Sequence, residues 1–321
     1  MAQYPFLYTP SLPANSTIKA DLEYVSNHWP DLNYDPWEES CALGHFFNLI
    51  MTREALLVGA KLARDLNDPG AADWYELQFS EVNDYLEGFW HENDGYIKSS
   101  IDHQSGVEWK TKNLDSAILI GVLFANSSMV EDSYSIGEQS HSTPLTVVSD
   151  RVMSTFVALN ASFAHKWPIN KDEFSPCFGR YEEDIYDGNG FSGGNPWFLN
   201  TLAAAEYLYS IIPHILNPTK RGFNLSHPFF EAYAISRDTV EFQQVLGLDT
   251  ERNELACTVA KDADARLGWV KRYREGTDLS EQFSRYNGKQ MGAKKLTWSY
   301  EAYLKAVDSR RRLDGWIENC K

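Results

Sequence analysis

Apolar residues recur at intervals of three and four along most of this chain, the spacing that lines one face of an α-helix. Ser16 or Thr17 can cap a first helix whose apolar side is Ile18, Leu22, Val25 and Trp29. Pro30–Glu39 reads as a loop, and Phe46–Leu66 as a long helix with Phe46, Ile50, Leu57, Ala60 and Leu66 aligned. Ala71–Trp90 repeats the pattern through Trp74, Leu77, Val82, Tyr85, Leu86 and Phe89. His91–Asn113 is polar and glycine-containing, a loop or short hairpin, and a short apolar helix follows over Asp115–Phe124. Further helices are predicted over Thr146–Trp167, Trp197–Leu216, Glu251–Arg274 and Trp298–Leu313. Pro196 suits the first turn of one of them, and Pro213 lies inside it as a kink or early stop. The result is roughly seven or eight helices of about 15–25 residues, joined by loops longer than a simple bundle needs. Such a pattern fits an all-α toroid of paired helices whose loops gather into a site.

Composition narrows the possible partners. The net charge of −16 opposes binding to nucleic acid or to an anionic membrane, whereas a neutral polysaccharide meets no such penalty. Aromatic residues make up 14% of the 321 positions, with 10 Trp, and flat aromatic faces suit the C–H face of a sugar ring as well as a helical core. Cys41, Cys177, Cys257 and Cys320 lack any C-x-x-C spacing, which leaves none, one or two disulfides open. Sequons at Asn15, Asn126, Asn160 and Asn224 permit glycosylation if the chain enters the secretory route. The first ten residues lack the basic start and apolar core of a signal peptide, and no apolar run approaches the ~20 residues of a membrane span.

Two loops carry the candidate chemistry, Asp35-Pro36-Trp37-Glu38-Glu39 and Ser280-Glu281-Gln282-Phe283. Hydrolysis of a glycosidic bond needs one carboxyl group that gives a proton and one that takes a proton, on opposite faces of a sugar. The plain alternative is a set of surface glutamates. Gly179-Arg180-Tyr181-Glu182-Glu183-Asp184 is either a solvated ion-pair patch or an arginine fork holding two sugar hydroxyls. Asn195-Pro196-Trp197-Phe198 and Leu296-Thr297-Trp298-Ser299 each set a tryptophan where a loop enters a helix.

Other chemistries find less support. Gly188-x-Gly190-x-x-Gly193 follows a charged stretch rather than a buried strand, so it reads as a tight loop at the rim of a site and not as a dinucleotide cradle. Asp184 and Asp187 lack calcium-loop spacing, the eight histidines form no ligand pattern, and Gly-x-Ser-x-Gly is absent.

Taken together, Trp37-Glu38-Glu39, Gly179-Arg180-Tyr181, Asn195-Pro196-Trp197-Phe198-Leu199, Leu202-Ala203-Ala204-Ala205-Glu206, Ser280-Glu281-Gln282 and Leu296-Thr297-Trp298-Ser299 resemble the fungal and yeast glucoamylases from about Asp21 to Leu313. The resemblance implies an (α/α)6 toroid and an inverting exo-acting hydrolase releasing β-D-glucose from non-reducing ends of α-1,4-glucans, with no metal or cofactor. It makes Glu38 the general acid and Glu281 the general base, about 6.5–9.5 Å apart. Burial beside Trp37 and the neighbouring Glu39 would keep Glu38 protonated, while donors around Glu281 would keep it ionised. Gln282 would place the water, Arg180 would hold hydroxyls of the terminal glucose, Glu39, Tyr186, Trp197 and Trp298 would line subsites with Trp37, and Asp35 would tune the acid.

Pro36, Glu182 and one extra residue between Glu39 and Phe46 depart from the family pattern. In that family further helices precede the segment that begins here near Thr17. The resemblance therefore implies an N-terminally truncated toroid, about eight of twelve barrel helices. Residues 1–16 would be an extension, 17–313 a partial catalytic domain and 314–321 a tail. The expected partner is an α-glucan, with no nucleic acid or membrane, and a complete protein would be a secreted or vacuolar monomer. The rival readings are a non-catalytic remnant that binds glucan through Trp197, Trp298 and Arg180, and a trehalose-cleaving enzyme on the same toroid.

Overall fold

The computed structural model describes residues 6–10, 16–106, 108–127, 145–217, 227–233 and 249–320. Sequons at Asn15 and Asn224, and Ser128 of the Asn126 sequon, lie outside the described residues. In chain order the elements are α1 (Thr17–His28), β1 (Asn33–Tyr34), β2 (Cys41–His45), α2 (Phe46–Asp65), α3 (Pro69–Leu86), β3 (Trp90–His91) and β4 (Tyr96–Ile97). They continue as β5 (Ser100–Ser105), α4 (Ala117–Ser127), α5 (Asp150–Ala164), α6 (Phe198–Leu216), α7 (Asp249–Tyr273), β6 (Gln282–Phe283), β7 (Gln290–Met291) and α8 (Thr297–Arg311). The described residues form two compact units, one drawn from Met1–His91, Lys98–Glu108 and Phe124–Pro144, the other from Glu92–Ile97, Trp109–Leu123 and Leu145–Lys321.

In the first unit α2 and α3 pack along their lengths, joined at Leu66–Asp68, and Pro69 takes the first turn of α3, where no amide N–H is required. Phe46, Leu49, Ile50, Leu56, Ala60 and Ala63 form the buried stripe of α2, one helical step away from Leu57, which is half-buried. α1 turns a different face inward from the one expected. Lys19, Leu22 and Ser26 are buried, Val25 is half-buried and Ile18 is exposed. The cause is polar. Lys19 pairs with Asp68, Ser26 Oγ accepts from Trp74 Nε1 at 3.1 Å, and Tyr75 donates to Glu23 Oε1 at 3.1 Å. In α3, accordingly, Tyr75 and Gln78 are buried where Trp74 and Leu77 were expected, and Leu77 is exposed. Amide groups at Thr17 and Ile18 donate to the carbonyls of Phe6 and Leu7, so residues 6–10 tie onto the start of α1.

A three-stranded antiparallel sheet of order β1-β2-β5 completes this unit, with Asn33 opposite Ala42 and Tyr34 opposite Cys41. The sequence reading took Pro30–Glu39 as a loop and assigned no element to residues 40–45, so it missed both β1 and β2. The β2 partner β5 lies more than fifty residues further on, and the register slips between Cys41 and Ala42, as at a β-bulge.

α6 is the axis of the second unit, buried along nearly its whole length and packed on α7 and α8. Pro213 falls in its last turn and does not end it before Leu216. Tyr209 donates to Asp264 at 2.5 Å, and Arg310 of α8 meets the same carboxylate at 2.7 Å, which ties the three helices together. Deeper in, Arg266 is fully buried. Its guanidinium bonds Asp262 (3.0 Å), Asn160 Oδ1 (2.6 Å) and the carbonyl of Pro176 (2.8 Å), and lies over the Phe178 ring. That set of bonds satisfies a buried charge and fixes the chain just ahead of Arg180. The Asn160 sequon sits in α5, with its side-chain oxygen engaged in this network. Cys257 and Cys320 form a disulfide; Cys41 and Cys177 are free thiols.

Candidate active site

In the first unit the Asp35–Glu39 loop is the hairpin connection between β1 and β2. Asp35 organises it: one carboxylate oxygen accepts the backbone N–H groups of Glu39 (2.8 Å) and Ser40 (3.1 Å), closing the loop on itself. The Asp35 carbonyl accepts from the Glu38 N–H at 3.0 Å. Asp35 Oδ2 is buried and has no hydrogen-bond partner among the described residues. Glu38 stands at φ 61°, a left-handed conformation that costs a non-glycine residue about 1–2 kcal/mol. Strain of this kind concentrates where geometry serves function. Trp37 and Glu39 are half-buried, whereas Glu38 is exposed. Burial beside Trp37 is therefore not what surrounds this carboxyl group, because the left-handed turn carries it to the surface of the hairpin.

In the second unit Glu281 immediately precedes the short strand β6, in a segment clasped on both sides. Glu281 N–H donates to the Ala293 carbonyl at 2.8 Å on the β7 side. On the other side Phe198 N–H donates to the Glu281 carbonyl at 3.3 Å, Phe283 N–H donates to the Pro196 carbonyl at 3.0 Å, and Trp197 bridges Gln282. Trp197 is thereby brought beside Glu281 and Gln282 by backbone pairing. The half-buried Glu281 carboxylate accepts from the Tyr186 hydroxyl at 3.4 Å and faces the Gln282 amide at 3.5 Å. Burial raises its pKa. The Ala293 backbone amide, the Arg180 charge and the Tyr186 hydroxyl pull the other way and favour the ionised form.

Arg180 is buried and held in a bidentate pair with Asp184, both bonds 2.8 Å, an i,i+4 clamp. Its guanidinium carbon lies 5.4 Å from the Tyr186 ring centre and 5.2 Å from that of Trp197, so charge and two aromatics share one wall with Glu281. The loop is fixed from beneath. Lys166 donates to the carbonyls of Tyr181, Glu182 and Asp184, and burial pulls its pKa down to about 8. Ser116 Oγ donates to the Gly179 carbonyl at 2.7 Å, and Ser116 N–H to that of Arg180 at 2.9 Å. Trp298 is the second residue of α8, whose start is tied to the base strand by Ser299 Oγ donating to the Ser280 carbonyl at 2.8 Å.

The structure thus gathers Asp35, Trp37, Glu38 and Glu39 in one hairpin loop. Separately it gathers Arg180, Tyr186, Trp197, Glu281 and Gln282 around one carboxylate, with Trp298 at the adjoining helix start. Sequence reasoning missed the supports Asp184, Lys166 and Ser116. The four-residue step from Arg180 to Asp184 was visible, whereas Lys166 and Ser116 reach the loop only through the fold. Among the described residues no cluster of His, Cys, Asp or Glu is arranged to hold a metal ion, and no helix is long and apolar enough to cross a membrane.

Comparison with known proteins identifies the family of the chain. The chain is 33% identical to glucoamylase 1 of Rhizopus oryzae over 90% of its own length and 46% of that protein. It is 29% identical to the intracellular sporulation-specific glucoamylase of Saccharomyces cerevisiae, over 97% and 58%. The solved glucoamylase from Saccharomycopsis fibuligera superposes with a TM-score of 0.77 at 28% identity, over 93% of this chain and 61% of that one. The family 15 glucoamylase from Hypocrea jecorina gives 0.74 at 26%, over 98% and 49%. The chain spans about half the length of the relatives it matches, and it has their all-α, (α/α)6 class of fold. The profile of "Glycosyl hydrolases family 15" matches residues 9–308, and on that match, with the relatives above, the chain belongs to this family of glycosyl hydrolases.

Proposed function

We propose that this chain carries both catalytic carboxyl groups of an inverting glucan 1,4-α-glucosidase that releases β-D-glucose from the non-reducing ends of starch, glycogen or maltooligosaccharides. The observation that carries the reading is the wall around Glu281: a half-buried carboxylate with a phenol and an amide at its oxygens and a clamped guanidinium beside it. A base needs an ionised carboxylate, and a water molecule needs a second group to orient it. Glu281 takes a proton from that water while Gln282 orients it. The water oxygen forms a bond to the anomeric carbon, the bond from that carbon to the glycosidic oxygen breaks, and Glu38 protonates the departing oxygen. Arg180 holds hydroxyls of the terminal glucose, and Asp35, Trp37, Glu39, Tyr186, Trp197 and Trp298 line the binding path.

Residues 17–313 supply the catalytic part, with 1–16 and 314–321 as flanking segments. The partner is a neutral α-glucan, consistent with a net charge of −16, and the protein acts as a monomer. The Cys257–Cys320 disulfide supports an oxidising, secreted or vacuolar setting.

Proton NMR during hydrolysis of maltotetraose tests the reaction. Newly formed glucose should appear as the β anomer. Glu38→Gln and Glu281→Gln should each lower kcat by about 10²–10⁴-fold, with circular dichroism unchanged. Release of the α anomer, or ordinary turnover by either variant, would overturn the assignment. Binding of maltotetraose without turnover by the parent chain would favour a glucan-binding module instead.

A further inference from the structure

The glycine-rich segment Gly188-Asn-Gly190-Phe-Ser-Gly193 is a firmly built loop of the second unit. Asp187 Oδ1 accepts the N–H groups of Asn189 (3.1 Å) and Gly190 (2.8 Å), and Asp187 N–H donates to the Gly190 carbonyl at 3.0 Å. Asn195 Nδ2 donates to the Asp187 carbonyl at 3.0 Å and to Gln282 Oε1 at 3.1 Å. The backbone of Gly188 lies directly on that of Gly292: a Cβ there would stand 2.6 Å from Gly292 N and 2.8 Å from its Cα. Gly292 in turn lies against the Glu281 carboxylate. The loop is therefore anchored to the strand that carries the base.

At the tip of this anchored loop stands Phe191, 76% exposed. A backbone bridge pairs it with Tyr186, and the two rings lie 6.1 Å apart at 52°. Tyr186 is the residue whose hydroxyl reaches Glu281 at 3.4 Å. A phenyl ring held in water gives up the gain of burial, and here a network of hydrogen bonds keeps it there. Phe191 extends the aromatic wall of Trp197 and Tyr186 outward, with Tyr186 6.4 Å from Trp197. Phenylalanine offers no hydrogen bond, so what it can offer a carbohydrate is a flat apolar surface for the C–H face of a pyranose.

We propose that Phe191 is a sugar-stacking platform for one glucose ring of a bound α-glucan, a specificity-determining residue at the outer edge of the Glu281 wall. This rests on the glucosidase reading of that wall. Isothermal titration of the full chain with maltoheptaose tests it by binding alone. Phe191→Ala should weaken binding about tenfold, Phe191→Trp should hold it within twofold, and Phe191→Leu should fall near the alanine variant. In the hydrolysis assay the alanine variant should raise KM about tenfold and leave kcat within twofold. A loop that merely collapsed onto Glu281 would lower kcat instead, and that result overturns the platform. Equal binding by parent and Phe191→Ala overturns it while leaving the reading of Glu281 intact. Absence of binding by the parent chain removes both.

Discussion

Gly292 gives the sharpest test of how the base is held. In the β6–β7 hairpin Gln282 pairs with Met291 and Phe283 with Gln290, so the same register sets Gly292 across from Glu281. Gly292 has φ 73°, and a Cβ placed on it would overlap Glu281 Oε2 while standing 3.1 Å from Glu281 Cβ and Cδ. Gly292→Ala therefore forces the carboxylate to retreat by about 1 Å, the scale of misplacement that costs about 10²-fold in rate. The left-handed backbone adds about 1–2 kcal/mol of strain for a residue with a Cβ. The expectation is a fall in kcat on maltotetraose of about 100-fold, with a modest loss in thermal stability and little change in maltoheptaose affinity. Gly190→Ala is the matched control, since nothing lies within 4 Å of its added methyl group. If Gly292→Ala keeps kcat within twofold of the parent, the carboxylate has slack and the close approach does not fix it.

Glu206, buried on α6, has its pKa pushed up to about 7, first by burial, with Glu301 and Asp308 adding to the rise and Lys305 and Arg312 opposing it. Because the folded form holds the proton more tightly than the unfolded form, stability is full below about pH 4.5 and is lost as pH rises through about 7. Glu206→Gln removes that loss. Its unfolding free energy in chemical denaturation should draw ahead of the parent's as pH goes from 4 to 8, by up to about 3 kcal/mol; a constant difference would contradict the burial argument. Asp262 is the counter-charge of the fully buried Arg266 and also accepts from Tyr233 at 2.7 Å. Asp262→Ala should cost about 3–5 kcal/mol in chemical denaturation, and Asp262→Ala with Arg266→Met should recover part of it. Full additivity of the two changes would show that the pair does not act as one.

How much of this was legible in the sequence depends on how far each cause reaches. The helices were, because an apolar stripe is local: α2, α3, α6, α7 and α8 fall where periodicity put them. Their inward faces were less so. Lys19 and Ser26 are buried on α1 in place of Val25 and Ile18 because Asp68, 49 residues from Lys19, and Trp74 wait on the other side. The Asp35–Glu39 hairpin was missed for the same reason, since β2 is a strand by pairing both with β1 and with the distant β5. The aromatic and acidic residues around Glu281 could be named from their motifs, and the i,i+4 partner of Arg180 lay within reach. Lys166 was not. A lysine donating to three loop carbonyls has no signature of its own, because carbonyls are present at every residue and only the fold decides which converge.

The same distinction bears on the glycines. From sequence alone Gly188 and Gly292 are two glycines 104 positions apart, and the G-x-G-x-x-G pattern reads as a loop turning tightly at the rim of a site. Stacked backbone to backbone, they act as a spacer whose thickness is set by the absence of two side chains. A spacer made of backbone cannot shift rotamer, so it holds a carboxylate more stiffly than a packed side chain would. Burial raises the pKa of Glu281, and a loosely held Tyr186 or Arg180 would offset that unevenly as the wall breathed. Fixing the strand, the loop and the clamped arginine to one another keeps the opposing influences on its proton in constant proportion. That constancy, more than any single contact, is what the role proposed for Glu281 as a base requires.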